Sequence, residues 1–326
     1  MQVTYARFNR HRLPRFQLAT MIMRDSTRLL VRKTALTDAA IGHLRGMQSA
    51  HDLLEAQRAS TDIALPRILQ ATGAMIDFEF LPFASVDQLL FEAFHERQAA
   101  AFRDILDDYA NIIATAFGSA AHPQIGDELR EIFGADIKQR LDAVDCGPCA
   151  PVAFLDPVFE NVLVDGRRRI FIDNEWVLPG ALPVNFMVFR ALYYFYRVKY
   201  SDFNIDACVS LDEMLERYRI SAGQSELFQA MDDDFQAHVF GRERCYRYRE
   251  RYLKFGHPTV DSMEKTIAHQ REVVIDLHRQ LSALQNTPEW RLISMARNLI
   301  APVGSRRRRL IQKIVLQRGT PRHPPE

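Results

Sequence analysis

Residues 152–176, VAFLDPVFENVLVDGRRRIFIDNEW, constrain this chain more than any other stretch. An apolar run ends at Asp156, and five residues later Asn161 opens a second one, NVLVDG (161–166). Asp165-Gly166 supplies the tight turn of an antiparallel hairpin, and RRRIFID (167–173) runs back with Asp173 at its end. This order predicts a sheet edge that carries Asp156, Asn161 and Asp173 together, from separate segments of chain. An Asp-to-Asn spacing of five and an Asp-Gly hairpin are each common in unrelated folds. Their joint order is not.

Phosphoryl transfer from a nucleotide needs a carboxylate to orient or deprotonate the acceptor hydroxyl, and oxygen ligands that hold magnesium against the phosphates. Asp156 and Asn161 have the D-x-x-x-x-N spacing of a loop that carries both the base and a metal ligand. Asp173 stands where a second magnesium carboxylate is wanted.

The segment resembles the catalytic region of the protein-kinase-like superfamily, in the branch of aminoglycoside phosphotransferases and related small-molecule kinases. It is more similar still to kinase modules attached to bacterial O-antigen and cell-surface polysaccharide enzymes, where IDNEW is followed by a run like PVNFMVFRALYYFY (183–196). The resemblance covers roughly residues 1–255 and is strong at 152–196. It implies an α+β, two-lobed fold: a small N-terminal antiparallel sheet lobe with one helix (1–83), then a larger helical lobe with the catalytic and metal loops (84–256). It also implies ATP and Mg2+ as cofactors and a sugar or polysaccharide hydroxyl as acceptor. The chain departs from the family in two places. Phe154 and Leu155 replace the His and Arg of an HRD triplet, and residues 1–30 contain no glycine, so no glycine-rich loop precedes the candidate lysine. The alternative is therefore a catalytically inactive kinase-like scaffold that recruits a glycosyltransferase or methyltransferase partner to the inner membrane.

TRLLVRKTAL (27–36) reads as a strand that aims Lys33 at nucleotide phosphates, with RFQLATMIM (15–23) as its hairpin partner. A solvated surface lysine is the plain alternative. Apolar residues at helical spacing follow over 38–58, and Asp52 and Glu55 are the candidates to pair with Lys33, ahead of Asp38. RILQATGAMIDFEFLPFASVDQLLFEAF (67–94) reads as strand, turn at Thr72-Gly73, strand, crossover and helix. By the resemblance, Glu79, Phe80 and Leu81 form the hinge that meets an adenine edge, although an ordinary buried strand needs the same residue types. Residues 95–145 and 186–256 read as helices of the second lobe, and the Phe/Tyr cluster near 189–200 as core.

At 326 residues with 47% hydrophobic and 25% charged side chains, the chain can bury one sizeable two-lobed core. No run approaches eighteen apolar residues and the first thirty lack a secretory h-region, so a cytoplasmic protein is expected. Cys146-Gly-Pro-Cys149 matches a redox C-x-x-C, but Ala150-Pro151 and a strand follow it. That denies the first thiol the helix N-terminus that activates it, and a turn is expected instead. Cys208 and Cys245 are too widely and irregularly spaced to complete a zinc site. No strand-to-glycine-loop element is present that could hold the cofactor of a methyltransferase.

The net charge of +1 hides an asymmetry. Residues 297–326 hold eight Lys/Arg against one acid, leaving the preceding chain at a net of −6. Ahead of that tail, Met263, Ile267, Gln270, Val274, Leu277, Leu281 and Leu284 repeat at alternating four- and three-residue spacing, the seam of a coiled coil over 257–286 that predicts self-association. Residues 287–326 mix Trp290, Leu292, Ile293, Leu299 and Ile300 with clustered arginines. This composition suits an anionic membrane surface, and hence a peripheral place at the inner membrane, better than nucleic acid, because apolar residues accompany the charges.

Overall fold

The computed structural model describes residues 2–242 except 26–27, 59–61, 117–119 and 121, together with scattered positions between 272 and 287. The expected coiled-coil seam and basic tail lie outside the described residues, apart from six helical positions: Glu272, Ile275, Asp276, Arg279, Leu281 and Ala283. The chain packs as two units, 1–256 and 257–326, and the first holds every element named below.

Strand-forming residues build the first lobe. β1 (Gln2–Phe8) pairs with β2 (Leu18–Asp25), and β2 with β3 (Arg28–Ala35), all antiparallel. The strand expected from Arg15 starts only at Leu18, because Pro14–Phe16 forms a 3-10 turn that buries Phe16. β1 was not foreseen: all its residues are exposed, so no buried face imposes alternation on its sequence. Next comes α1 (Ile41–Gln57), which buries Leu44, Met47, Ala50 and Leu54 at helical spacing. β4 (Ile63–Ala64) leaves this lobe and pairs in parallel with a strand of the second one. β5 (Ile68–Ala71) and β6 (Met75–Glu79) complete a five-stranded sheet of order β1-β2-β3-β6-β5. Leu18, Ala40, Leu44, Met47, Ile76 and Phe78 form a small core between sheet and helix.

Residues 80–84 connect to α2 (Val86–His95), whose start is fixed by a Ser85/Gln88 capping box. Helices α3 (Ala99–Thr115), α4 (Asp127–Phe133) and α5 (Ile137–Asp142) lead to β7 (Cys149–Phe154). The hairpin expected from Asp-Gly is formed by β8 (Val162–Asp165) and β9 (Arg168–Phe171), closed by the Asp165–Arg168 pair, with Gly166 at φ +56°. β9 is the strand that receives β4. β10 (Val177–Pro183) pairs back onto β7, placing Val177 opposite Phe154. α6 (Val184–Tyr193) runs on into a π-helical turn over Tyr194–Lys199, and α7 (Leu211–Arg217) and α8 (Ala222–Phe240) complete the lobe. Its large core takes in Phe102, Tyr109, Phe154, Phe159, Phe171, Phe186 and Phe228, so the Phe/Tyr-rich segments are core, as expected.

Candidate active site

The loop after β7 presents Asp156, and a 3-10 turn over Phe159–Asn161 presents Asn161. Tyr109, buried on α3, donates its hydroxyl to the Pro157 carbonyl and so anchors the loop between them. Asn161 Nδ2 donates to the Asp156 carbonyl at 3.0 Å and to Asp156 Oδ2 at 3.3 Å. These bonds fix the amide, and no donor reaches Asn161 Oδ1 among the described residues. The Asn161 carbonyl in turn accepts from Ile172 N at 2.9 Å, which ties this turn to the residue beside Asp173.

Asp156 is held from behind by Arg190 of α6. Arg190 Nη1 donates to Asp156 Oδ1 at 2.8 Å and also to the Leu155 carbonyl, while Nε donates to Asp232 Oδ1 of α8 at 2.8 Å. The guanidinium lies over the Phe235 ring, 4.5 Å from its centroid. Burial pushes the Asp156 carboxyl above its ordinary value. Arg190 opposes that shift, and the charges of Asp173 and Glu175 add to it. Asp156 nevertheless keeps 21% of its side-chain surface open.

Asp173 follows β9 in a left-handed conformation, φ 60° and ψ 50°. An Asp tolerates this region better than most residues, at a strain of about 1 kcal/mol or more. Its carboxylate meets Lys33 Nζ, which comes from β3 and is buried in the sheet lobe. The two lobes thus meet at the two charged groups singled out in the sequence.

The expected helix carboxylate is not there. Asp52 is exposed on α1, 3.8 Å from His51, and Glu55 pairs with Arg58 at 3.5 Å, so neither partners Lys33. The carboxylate beside the lysine is that of Asp173, at the end of the β8–β9 hairpin. Two residues beyond Asp173, the buried Glu175 accepts from Arg12 Nη1 at 2.6 Å and lies 3.5 Å from His43 Nε2 of α1. Burial would raise the Glu175 carboxyl, but Arg12, Lys33 and His43 outweigh it and hold the group well below the usual carboxylate range.

Arg12 belongs to the β1–β2 connection, which is anchored to the second lobe. Leu13 N donates to Val239 O of α8 at 2.9 Å, and Phe16 packs edge-on against Trp176 with ring centroids 4.9 Å apart. At the expected hinge, Glu79 ends β6 and its carboxylate accepts from Arg67 N at 2.8 Å and Arg67 Nε at 2.9 Å, while Leu81 is half-buried in the connector. Glu79 therefore braces the β5–β6 hairpin with its side chain, and its N–H also donates to the Arg67 carbonyl at 3.0 Å, so any backbone contact to a ligand falls to the connector beyond it. Cys146 and Cys149 are buried, free thiols, and Cys149 opens β7 as the turn reading requires. Among the described residues no group of three or more His, Cys, Asp or Glu is arranged to hold a metal.

An antiparallel sheet lobe and a helical lobe, with a strand lysine facing a hairpin-end aspartate between them, make an α+β, two-lobed arrangement. No protein-family model matches the sequence, and no curated protein does. Among solved structures, the chain is similar to a thermostable mutant of aminoglycoside phosphotransferase APH(4)-Ia in complex with ADP and hygromycin B, at 12% identity, covering 79% of this chain and 96% of that one, TM-score 0.42. It is also similar to macrolide 2'-phosphotransferase MphH from Brachybacterium faecium (13% identity, 76% and 92% covered, TM-score 0.34). A third is a putative fructosamine-3-kinase from Thermobifida fusca (16% identity, 76% and 92% covered, TM-score 0.38).

Sequence reasoning missed Arg190, Glu175, Arg12 and His43. A signal existed for the first, since Arg190 is the single charge within the apolar run PVNFMVFRALYYFY. Such a charge on a buried helix face needs a partner, and Asp156 is one.

Proposed function

We propose that this chain is an Mg-ATP-dependent phosphotransferase acting on a hydroxyl of a sugar or of a surface-polysaccharide chain end. The observation that carries this reading is the meeting of Lys33 with Asp173 beside the hydrogen-bonded pair of Asp156 and Asn161. Lys33 is the phosphate contact. The free Oδ1 of Asn161 and the second carboxylate oxygen of Asp173, which is 35% exposed, are hard oxygen donors of the kind magnesium takes. Two protein donors suffice for this ion, because it keeps waters and takes its other ligands from phosphate oxygens. Bound there, it would neutralise charge on the transferring group. Asp156, desolvated but still open to the cleft, orients the acceptor hydroxyl and takes its proton. The backbone around Glu79 and Leu81 faces the adenine.

The scaffold reading has one observation in its favour: the β1–β2 connection, glycine-free, is docked on α8 where a mobile phosphate lid is expected. The 257–286 coiled coil, a glycosyltransferase or methyltransferase partner and a membrane-facing tail extend either reading to residues outside the described ones. Among the described residues no helix is long and apolar enough to cross a membrane.

The test is calorimetric titration of Mg-ATP into wild type and Asp173→Ala, followed by ATP turnover with sugar acceptors. Magnesium-dependent binding that disappears in the variant, with turnover, supports the enzyme. Binding without turnover selects the scaffold, and no binding by wild type sinks the phosphotransferase reading.

A further inference from the structure

We propose that Arg7 on β1 is a second phosphate-binding cation of this cleft, gripping the terminal phosphates of the nucleotide together with Lys33 where a glycine-rich loop would otherwise cradle them. The proposal rests on the phosphotransferase reading and goes beyond it by assigning a residue that neither motif nor spacing marked.

Its first support is the sheet register. Arg7 is opposite Thr20 and Thr20 is opposite Lys33, so the three side chains lie in one row across β1, β2 and β3. Directly opposed residues in antiparallel strands point to the same face. Arg7 therefore projects from the face that carries Lys33, two strand spacings or about 10 Å away. Two long cationic side chains at that separation can close on a phosphate group from either side. The core beneath α1 covers this face at Leu18, Ile76 and Phe78, but β1 remains exposed, which leaves Arg7 at the rim of the cleft.

The second support is what surrounds it. Crowding by the cleft walls works against the Arg7 charge, yet Glu160, Tyr194, Asp173 and Tyr5 outweigh it and hold the guanidinium above its ordinary value. Glu160 is the neighbour of Asn161, so these groups place Arg7 over the candidate metal loop. Among the described residues no hydrogen bond or ion pair engages its guanidinium, whereas Arg12, Arg15, Arg32 and Arg190 are all committed to carboxylates. A planar fork of donors left free beside a site for phosphate is suited to bidentate phosphate recognition.

The third is the need for it. In the β1–β2 connection the amides of Asn9, Arg12, Leu13, Phe16 and Gln17 all donate to carbonyls of the protein. With these amides committed, the connection has few N–H groups left for the backbone cradle that a glycine-rich loop provides, and side chains are the alternative source of positive charge for phosphate.

The experiment measures binding of Mg-ATP, Mg-ADP and adenosine by titration calorimetry to the full chain, to Arg7→Gln and to Arg7→Lys. Because Arg7 lies on an exposed edge strand, neither substitution disturbs the core. Loss of one charge-assisted phosphate contact should weaken Mg-ATP by roughly 10- to 100-fold. Mg-ADP should weaken less, adenosine should not change, and the Lys variant should recover part of the loss. Unchanged Mg-ATP affinity in Arg7→Gln overturns the assignment while leaving the phosphotransferase reading intact. So does an equal loss for adenosine, which would mark a general disturbance of the cleft. A wild type that binds no nucleotide overturns both.

Discussion

Replacing Arg190 by Met keeps most of the side-chain volume and removes the charge, which isolates what the guanidinium does. Arg190 is 4% exposed, and its loss strips partners from Asp156, from Asp232 and from the Leu155 carbonyl at once. Breaking a buried ion pair by removing one member costs about 3–5 kcal/mol, and the lost contact with Phe235 adds about 1 kcal/mol. Relief comes from Asp156, which is partly open and can take up a proton, so the net loss should stay near 3–5 kcal/mol. In a unit of this size that lowers Tm by roughly 6–20 °C.

The pH dependence follows from the same contacts. The folded-state pKa of Asp156 already lies above its unfolded value, with Arg190 as the charge restraining it, so the variant raises it further. A carboxyl shifted upward binds more protons folded than unfolded, and its penalty grows as pH rises from the unfolded value near 3.9 through the folded one. Arg190→Met should therefore be more destabilised at pH 8 than at pH 5. Urea denaturation of both proteins at the two pH values measures this, and adding Asp156→Asn should recover part of the loss. A loss below about 1 kcal/mol, or one that is the same at both pH values, refutes the claim that Arg190 neutralises buried carboxylates.

Glu175→Gln should lose about 3 kcal/mol at pH 7, because its carboxylate is held between Arg12 and His43. Its folded pKa is depressed, so this stability is present above the unfolded value near 4.3 and fades as pH falls below it; urea midpoints that differ equally at pH 7 and pH 3.5 contradict the assignment. Burial pushes both the Cys146 and Cys149 thiols up to about 11. Iodoacetamide at pH 8 should thus label them in the native protein far more slowly than in urea, whereas rapid native labelling would revive a redox role for the CGPC turn.

The parts of the site that were legible in the sequence are those fixed by local pattern. The Asp156-to-Asn161 loop and the Asp-Gly hairpin are short-range, and Lys33 stands in a strand whose β-branched and aliphatic residues mark it. The Glu175 lock was not legible. Arg12, His43 and Glu175 come from a loop, a helix and a turn more than 160 residues apart at the extremes, and each alone looks like a solvated polar residue. The Lys33 partner was misjudged for the same kind of reason. Proximity along the chain favoured Asp52 and Glu55, but the helical phase of α1 turns them outward while it buries Leu44, Met47 and Leu54. β1 escaped notice because an exposed edge strand carries no hydrophobic period, although its register is what sets Arg7 in line with Lys33.

The docked β1–β2 connection has a kinetic consequence. Besides the 80–84 connector, the lobes are tethered by Arg12 to Glu175, Leu13 to Val239 and Phe16 to Trp176. Moving the lobes apart must break a buried ion pair, a backbone hydrogen bond and a ring contact together, so such an opening would be slower than for two lobes joined by the connector alone.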